Sequence, residues 1–105
     1  MKFDLECEFT FSGDISKIKK EITDFLTGFE KKLREKDKTV SFKNIKIEEK
    51  KLLFNIISEG SFRPHNGLLQ IKNNISKEFG KKHHLGVREI KIHNYDISFT
   101  LEKKP

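Results

Sequence analysis

Basic and hydrogen-bonding side chains are concentrated in the stretch from Gly60 to His93. It contains all four histidines, and seven lysines or arginines against two carboxylates. The seven cations are Arg63, Lys72, Lys77, Lys81, Lys82, Arg88 and Lys91. Their excess over the carboxylates is +5 of a total of +6, so the remaining sequence is nearly balanced. Such a patch on a small domain indicates a partner with a phosphate backbone.

The histidines offer two kinds of chemistry, metal binding or hydrogen bonding. His83 and His84 are adjacent, while His65 and His93 lie elsewhere in the sequence. Neighbouring residues on a loop point in different directions and no cysteine joins them, so the pattern favours a solvated loop over a metal site. At His65, beside Pro64, the imidazole either caps a helix or donates to a phosphate. The sequence predicts no metal and no cofactor.

Catalytic patterns are weak in this chain. The single cysteine, Cys7, lies on the apolar side of the first strand, which favours an inert core thiol. Asp4, Glu6 and Glu8 share the opposite side, where a paired acid site would need a cleft. We therefore predict a non-catalytic protein.

The first half of the chain predicts a strand, a long helix and two further strands. Strict alternation of apolar and polar residues defines the first strand over residues 3–11. Apolar residues at intervals of three and four predict a helix that follows an N-cap at Asp14 and ends near Lys36. A change of phase predicts a bulge near Lys43 and Asn44. The third strand, residues 52–58, is apolar at most positions, which predicts a mid-sheet strand with both faces covered.

The second half predicts a helix and a long strand region. Pro64 suits the first turn of a helix, and Gly80 is predicted to end it. The segment KKHHLG that follows is predicted to form a loop. A phase break at His93 and Asn94 leaves two alternatives open, a bulge or a short turn between two strands.

The predicted order of elements indicates an α+β protein, a ferredoxin-like βαββαβ sandwich whose antiparallel sheet carries two helices on one face. We assign residues 1–102 to a single domain and residues 103–105 to the start of a linker or tail. One cysteine predicts a reducing environment. The sequence shows no signal peptide and no membrane span, so we expect a cytoplasmic location.

Binding to the RNA backbone is the function that these residues favour. The phenylalanines of the first strand lie on the side that faces the helices, so base stacking is not expected. The cations would bind phosphates, and His65, His83 and His84 could donate to ribose or phosphate oxygens. Two alternatives are a merely solubilising basic surface and a protein-interaction or oligomerisation module that uses the sheet face or a strand edge.

A family resemblance appears in residues 60–99, which read GSFRPHNGLLQIKNNISKEFGKKHHLGVREIKIHNYDISF. They resemble the end of the N-terminal tRNA-binding domain of methanogenic-type (archaeal class) seryl-tRNA synthetases. The matching positions are Arg63, His65, Leu68, Leu69, Gly80, Lys81, Gly86, Arg88, Ile90 and Tyr95. The earlier strand, long helix and hairpin follow the family order, so the resemblance extends over nearly the whole chain.

The resemblance implies a domain that grips the elbow or long variable arm of a tRNA for a synthetase catalytic domain in cis or in trans. Basic residues of the second helix and the arginine of the final strand, here Arg88, would make the contacts. Gln70 replaces a residue that is commonly basic in the family, Asn73 and Asn74 stand where further cations could be, and His83 replaces an aromatic residue. The expected RNA-binding set is Arg63, His65, Lys72, Lys77, Lys81, Lys82, His83, His84, Arg88 and Lys91.

Overall fold

Apolar and polar residues alternate along the first strand, so one side of this strand is apolar and the other polar. In the computed structural model, which describes residues 3–60, 63–93 and 98–99, Leu5, Cys7, Phe9 and Phe11 are all buried. The elements are β1 (Phe3–Phe11), a short 3-10 turn (Ser16–Ile18), α1 (Lys19–Arg34), β2 (Ser41–Glu48), β3 (Lys51–Ser58), α2 (Pro64–His83), β4 (Val87–Ile92) and β5 (Ser98–Phe99). All pairings are antiparallel, in the order β2-β3-β1-β4-β5. The predicted ferredoxin-like α+β fold is confirmed.

The core lies between the sheet and the two helices. Ile22 and Leu26 of α1 and Ile71 and Ile75 of α2 are fully buried in one cluster with the apolar side of the sheet. Phe54 lies at its centre on the sheet side. Its ring is 5.5 Å from that of Phe9 on β1 and 5.3 Å from that of Phe42 on β2.

The first helix and the bulge follow the prediction with one adjustment. Asp14 accepts a hydrogen bond from the backbone N–H of Ser16 at 2.8 Å, but the turn that it begins is a 3-10 turn and α1 starts only at Lys19. The register of β2 shifts between Lys43 and Lys46, and Asn44 has a positive φ of 57°. The predicted bulge is confirmed.

The second helix is longer than the sequence predicts. Gly80 does not end it, because α2 continues to His83. His84 takes the left-handed conformation there, its N–H donating to the Gly80 carbonyl while the N–H of Leu85 donates to the Phe79 carbonyl. These two hydrogen bonds cap carbonyls of the last turn. Glycine usually occupies the left-handed position that His84 takes here. Lys81, Lys82 and His83 therefore belong to the final turn of α2 and not to a loop.

Two further expectations are resolved at the sheet. β5 pairs antiparallel with β4, with Ser98 opposite Lys91, so this region forms two strands and not one strand with a bulge. Residues 94–97, with Tyr95, and residues 103–105 lie outside the described residues. Leu53 and Ile57 of β3 are only half-buried, so the expectation that both faces of β3 are covered is wrong.

Candidate nucleic-acid interface

A groove runs between the two helices. The rings of Phe25 and Phe79 meet edge to face at 5.9 Å on its floor. The start of α1 lies beside the end of α2, so the helices are antiparallel. One section of the groove has a volume of about 550 Å³ and the other about 460 Å³. These two sections differ in charge.

The section beside the C-terminal half of α2 is acidic. Three carboxylates line it, Glu21, Asp24 and Glu78, together with Lys32 and Lys82. Lys82 pairs with Glu78 at 3.7 Å. The Nε2 of His83 lies 3.1 Å from a carboxylate oxygen of Glu21. Lys82 and His83, two of the predicted RNA-binding residues, thus have carboxylate partners within the protein. We call this the acidic section.

The section beside the N-terminal half of α2 is basic. Lys32 of α1 and Lys36, which follows the end of α1, face Arg63 across it. Glu35 and Asp37 also line this section, but Asp37 is buried and accepts hydrogen bonds from the N–H of Thr39 and the hydroxyl of Ser58, both at 3.0 Å. We call this the basic section.

Lys32 and Lys36 are candidate contacts that the sequence reasoning missed. Their signal was present, because they follow Phe29 and Leu33 of the apolar stripe by three residues each and so flank it. Only the antiparallel arrangement of the helices brings them beside Arg63, which is distant in sequence.

The remaining cations of α2 have different settings. Lys77 and Lys81 are exposed on the helix, and Lys72 is half-buried. Within residues 3–60, 63–93 and 98–99, none of these three forms an ion pair. Arg63 and His65 lie at the first turn and Lys81 at the last, so the set spans a helix about 30 Å long.

Arg88 is positioned by a bulge at the start of β4. Phe11 of β1 faces Val87, while the preceding residue, Thr10, faces Glu89, so Arg88 is the extra residue. A bulge re-aims the side chain that it carries, and Arg88 is exposed. The loop before it is held at the end of β1, since the N–H of Ser12, the residue that follows β1, donates to the Gly86 carbonyl at 2.9 Å. Arg88 and the exposed His84 therefore lie near the C-terminal end of α2.

Comparison with known proteins identifies the family. Residues 1–105 match the family model of a tRNA-binding domain. The chain belongs to this family of tRNA-binding domains. Membership covers the whole sequence, including α1 and the cations that line the basic section.

Relatives of this tRNA-binding domain include serine–tRNA ligases of methanogens. The type-2 serine–tRNA ligase of Methanococcus aeolicus is 32% identical over 106 residues, which cover 95% of this chain and 20% of the ligase. That of Methanococcus maripaludis is 28% identical, over 95% of this chain and 21% of the ligase. The predicted resemblance is confirmed. This chain spans about one fifth of the length of these relatives.

A solved structure shares the fold. The crystal structure of A. aeolicus tRNASec in complex with M. kandleri SerRS matches with a TM-score of 0.75, over 94% of this chain and 21% of that one, at 20% sequence identity. The likeness supports the arrangement of strands and helices described above.

Lys91 lies on the other side of the sheet from α2. It faces Glu8 across the β1–β4 pair, on the side away from the helices. Glu8 is only 7% exposed, with Nε2 of His93 2.7 Å and Nζ of Lys51 3.3 Å from its carboxylate oxygens. The structure therefore separates Lys91 from the predicted RNA-binding residues of α2.

Other candidate chemistry is limited in the described residues. Burial, with the nearby Asp4 and Glu6, raises the pKa of Cys7 to about 12, which agrees with a core thiol. No cluster of three or more potential metal ligands occurs within residues 3–60, 63–93 and 98–99. Over the same ranges, neither helix has the length and apolarity to cross a membrane.

We expect Glu8→Gln to remove part of the acid dependence of stability. Burial raises the pKa of Glu8, but hydrogen bonds from His93 and Lys51 outweigh it and hold the pKa below its ordinary 4.5. The unfolded chain therefore binds this proton more tightly, and the stabilisation present at neutral pH is lost as the pH falls through the folded-state pKa. Urea unfolding from pH 7 to pH 3 measures this. Glu48→Gln, at an exposed surface pair, is the control. An equal pH dependence in wild type and Glu8→Gln would contradict the prediction.

Proposed function

We propose that this tRNA-binding domain holds the elbow or the long variable arm of a tRNA against its helical face. The proposal takes the type of tRNA from its relatives, which are serine–tRNA ligases. The domain contributes no catalytic group and presents the tRNA to a synthetase catalytic domain, in cis or in trans. Residues 1–102 act as one unit in this proposal, and residues 103–105 begin a linker or tail.

One observation supports the helical face above all others. α2 contains four lysines and a single carboxylate, Glu78, which is already paired with Lys82. A helix with so few acids attracts phosphates along its length, and its N-terminus, beside Arg63, adds the positive end of the helix dipole. A merely solubilising surface does not account for the two further cations, Lys32 of α1 and Lys36 just after it, that lie around the same Arg63.

The predicted residues have unequal parts in this proposal. Arg63, Lys77, Lys81 and Arg88 contact phosphates, and His65 lies beside Arg63 at the helix start. Lys72 is half-buried, and Lys82, His83 and His84 lie at the end of α2, the first two next to carboxylates. Lys91 takes part only if RNA also contacts the face of the sheet that lies away from the helices.

The competing function is a protein-interaction module. The half-exposed Leu53 and Ile57 on the open face of the sheet favour it, because they are apolar residues that no element of the described structure covers. Such an interface responds little to salt, whereas binding through several phosphates weakens steeply as salt rises.

The decisive experiment is a titration with tRNA at low and at physiological salt. We expect saturable binding, stronger for a tRNA with a long variable arm than for one with a short arm. Binding through about five phosphates should fall by roughly a hundredfold or more between 50 and 200 mM salt. Arg88→Glu should weaken it about tenfold at low salt.

The matched control is Lys43→Glu, which makes the same change of charge on the edge strand β2. It should bind as the wild type does. Absence of binding at low salt, or equal loss in both variants, would refute this mode of binding and direct attention to the open face of the sheet.

A further inference from the structure

A stripe of neutral amides lies on the outward side of α2. Asn66, Gln70 and Asn73 follow one another at intervals of four and three residues, so they project from one side of the helix. All three are exposed. In the part of the chain that the structure describes, none of their side chains has a hydrogen-bond partner. We call these three residues the amide stripe.

Cations stand at both ends of the amide stripe. Arg63 precedes it at the start of α2, and Lys77 and Lys81 continue the same side of the helix by steps of four. Asn66 and Gln70 also line the basic section of the groove, across from Lys32 and Lys36. The amides therefore lie between positive groups, on the part of the helix that is farther from Glu21, Asp24 and Glu78.

Helix stability does not explain this composition. Asparagine forms helices less well than lysine, glutamine or glutamate, and Asn73 with Asn74 lies in the middle of a 20-residue helix. Asn74 partly compensates, since its Nδ2 donates to the Gln70 carbonyl at 2.8 Å. Asn66 and Asn73 have no such bond within the described residues. A ligand that uses their donors and acceptors would account for them.

The hydrogen-bonding groups of an amide match a ribose hydroxyl better than they match a phosphate. A phosphate accepts hydrogen bonds only and favours cations, whereas a ribose 2′-hydroxyl both donates and accepts, as an amide does. In an A-form double helix, 2′-hydroxyls line a wide and shallow groove between two phosphate strands. Amides in the middle of a helix, with cations at both ends, match that distribution.

Single-stranded RNA fits this surface less well. Proteins that bind it stack bases on exposed aromatic rings. On the helical side of the described structure, Phe29 and Phe79 are buried, and Phe25 is half-buried against them. These rings form the floor of the groove and are not free platforms.

We propose that Asn66, Gln70 and Asn73 contact ribose 2′-hydroxyls in the shallow groove of a double-helical RNA segment, so that α2 distinguishes RNA from DNA. The inference rests on the proposed function and adds the form of RNA and a means of selecting it. The two phosphate strands of the duplex pair with Arg63 and the lysines of the basic section on one side, and with Lys77 and Lys81 on the other.

The test compares an RNA hairpin with a DNA hairpin of the same sequence at one salt concentration. The wild type should bind the RNA hairpin more tightly. The triple variant Asn66→Ala, Gln70→Ala, Asn73→Ala should lose about tenfold or more on RNA and little on DNA, with an unchanged salt dependence, because neutral hydrogen bonds release no counterions. Alanine favours helix, so α2 is retained, which circular dichroism checks.

Lys77→Ala, Lys81→Ala is the matched control on the same side of the helix. It should weaken binding to both hairpins and lower the slope of log K against log salt by about 2. If the triple variant keeps the wild-type preference for RNA, the role of the amide stripe is overturned while tRNA binding stands. If the wild type binds neither the hairpin nor tRNA, the proposed function fails as well.

Discussion

Reversing Lys36 and Arg63 together, by Lys36→Glu and Arg63→Glu, is expected to weaken tRNA binding about a hundredfold at low salt. The two cations line the basic section from opposite sides, one after the end of α1 and the other at the start of α2. Each reversal replaces an attraction to phosphate with a repulsion. Filter binding or fluorescence anisotropy with a long-armed tRNA measures the loss.

A double reversal on β2 separates local contacts from net charge. Lys43→Glu with Lys46→Glu changes the charge by the same amount, on an edge strand away from the groove. We expect its affinity to stay within about threefold of wild type at physiological salt, where the Debye length is about 8 Å. A loss as large as that of the Lys36 and Arg63 variant would mean that overall charge governs binding, and the basic section would lose its role.

Folding of both variants is expected to be little affected, since the ion pair of Lys46 with Glu48 that the control variant removes is exposed at the surface. Lys36 and Arg63 are exposed, and no ion pair involves either of them within residues 3–60, 63–93 and 98–99. Unfolding by urea would show this. A variant that binds weakly and unfolds like the wild type locates the effect at the contact surface.

The sequence predicted what local patterns control. The alternation of apolar and polar residues in β1 and the apolar stripes of the helices predicted which sides of these elements are buried. The composition of α2 predicted a partner with a phosphate backbone. The prediction failed at Gly80, because a glycine is a common but not obligatory stop, and α2 continues for three more residues to His83. His84 then adopts the left-handed conformation that was expected of Gly80.

The groove could not be predicted in the same way. Lys32 and Lys36 lie far from Arg63 in sequence. The surplus of positive charge lies in residues 60–93, and the sequence around α1 shows no such surplus. The antiparallel packing of α1 on α2 is a feature of the tertiary structure. It determines which lysines lie beside which carboxylates. Lys91 shows the converse, because its strand register with Glu8 places it on the face opposite to α2 although it is close to Arg88 in sequence.

The helical face depends on the sheet that supports it, so Phe54→Ala should destabilise the whole domain. Phe54 is 1% exposed and contacts the rings of Phe9 and Phe42, which belong to the two strands on either side. Its removal leaves a cavity at the centre of the core. We expect the free energy of unfolding to fall by about 3–5 kcal/mol, measured by urea titration.

A loss of that size is a large share of the stability of a small domain, which is usually about 5–15 kcal/mol. Phe54→Leu keeps much of the volume and should cost less than about 1.5 kcal/mol. Ile57→Ala, on the open side of the same strand, should cost less than Phe54→Ala because Ile57 is only half-buried. If Phe54→Ala cost no more than Ile57→Ala, the sheet would not be packed as described. The groove between α1 and α2 would then lack a rigid base, and the contacts assigned to Arg63 and Lys36 would have to be re-examined.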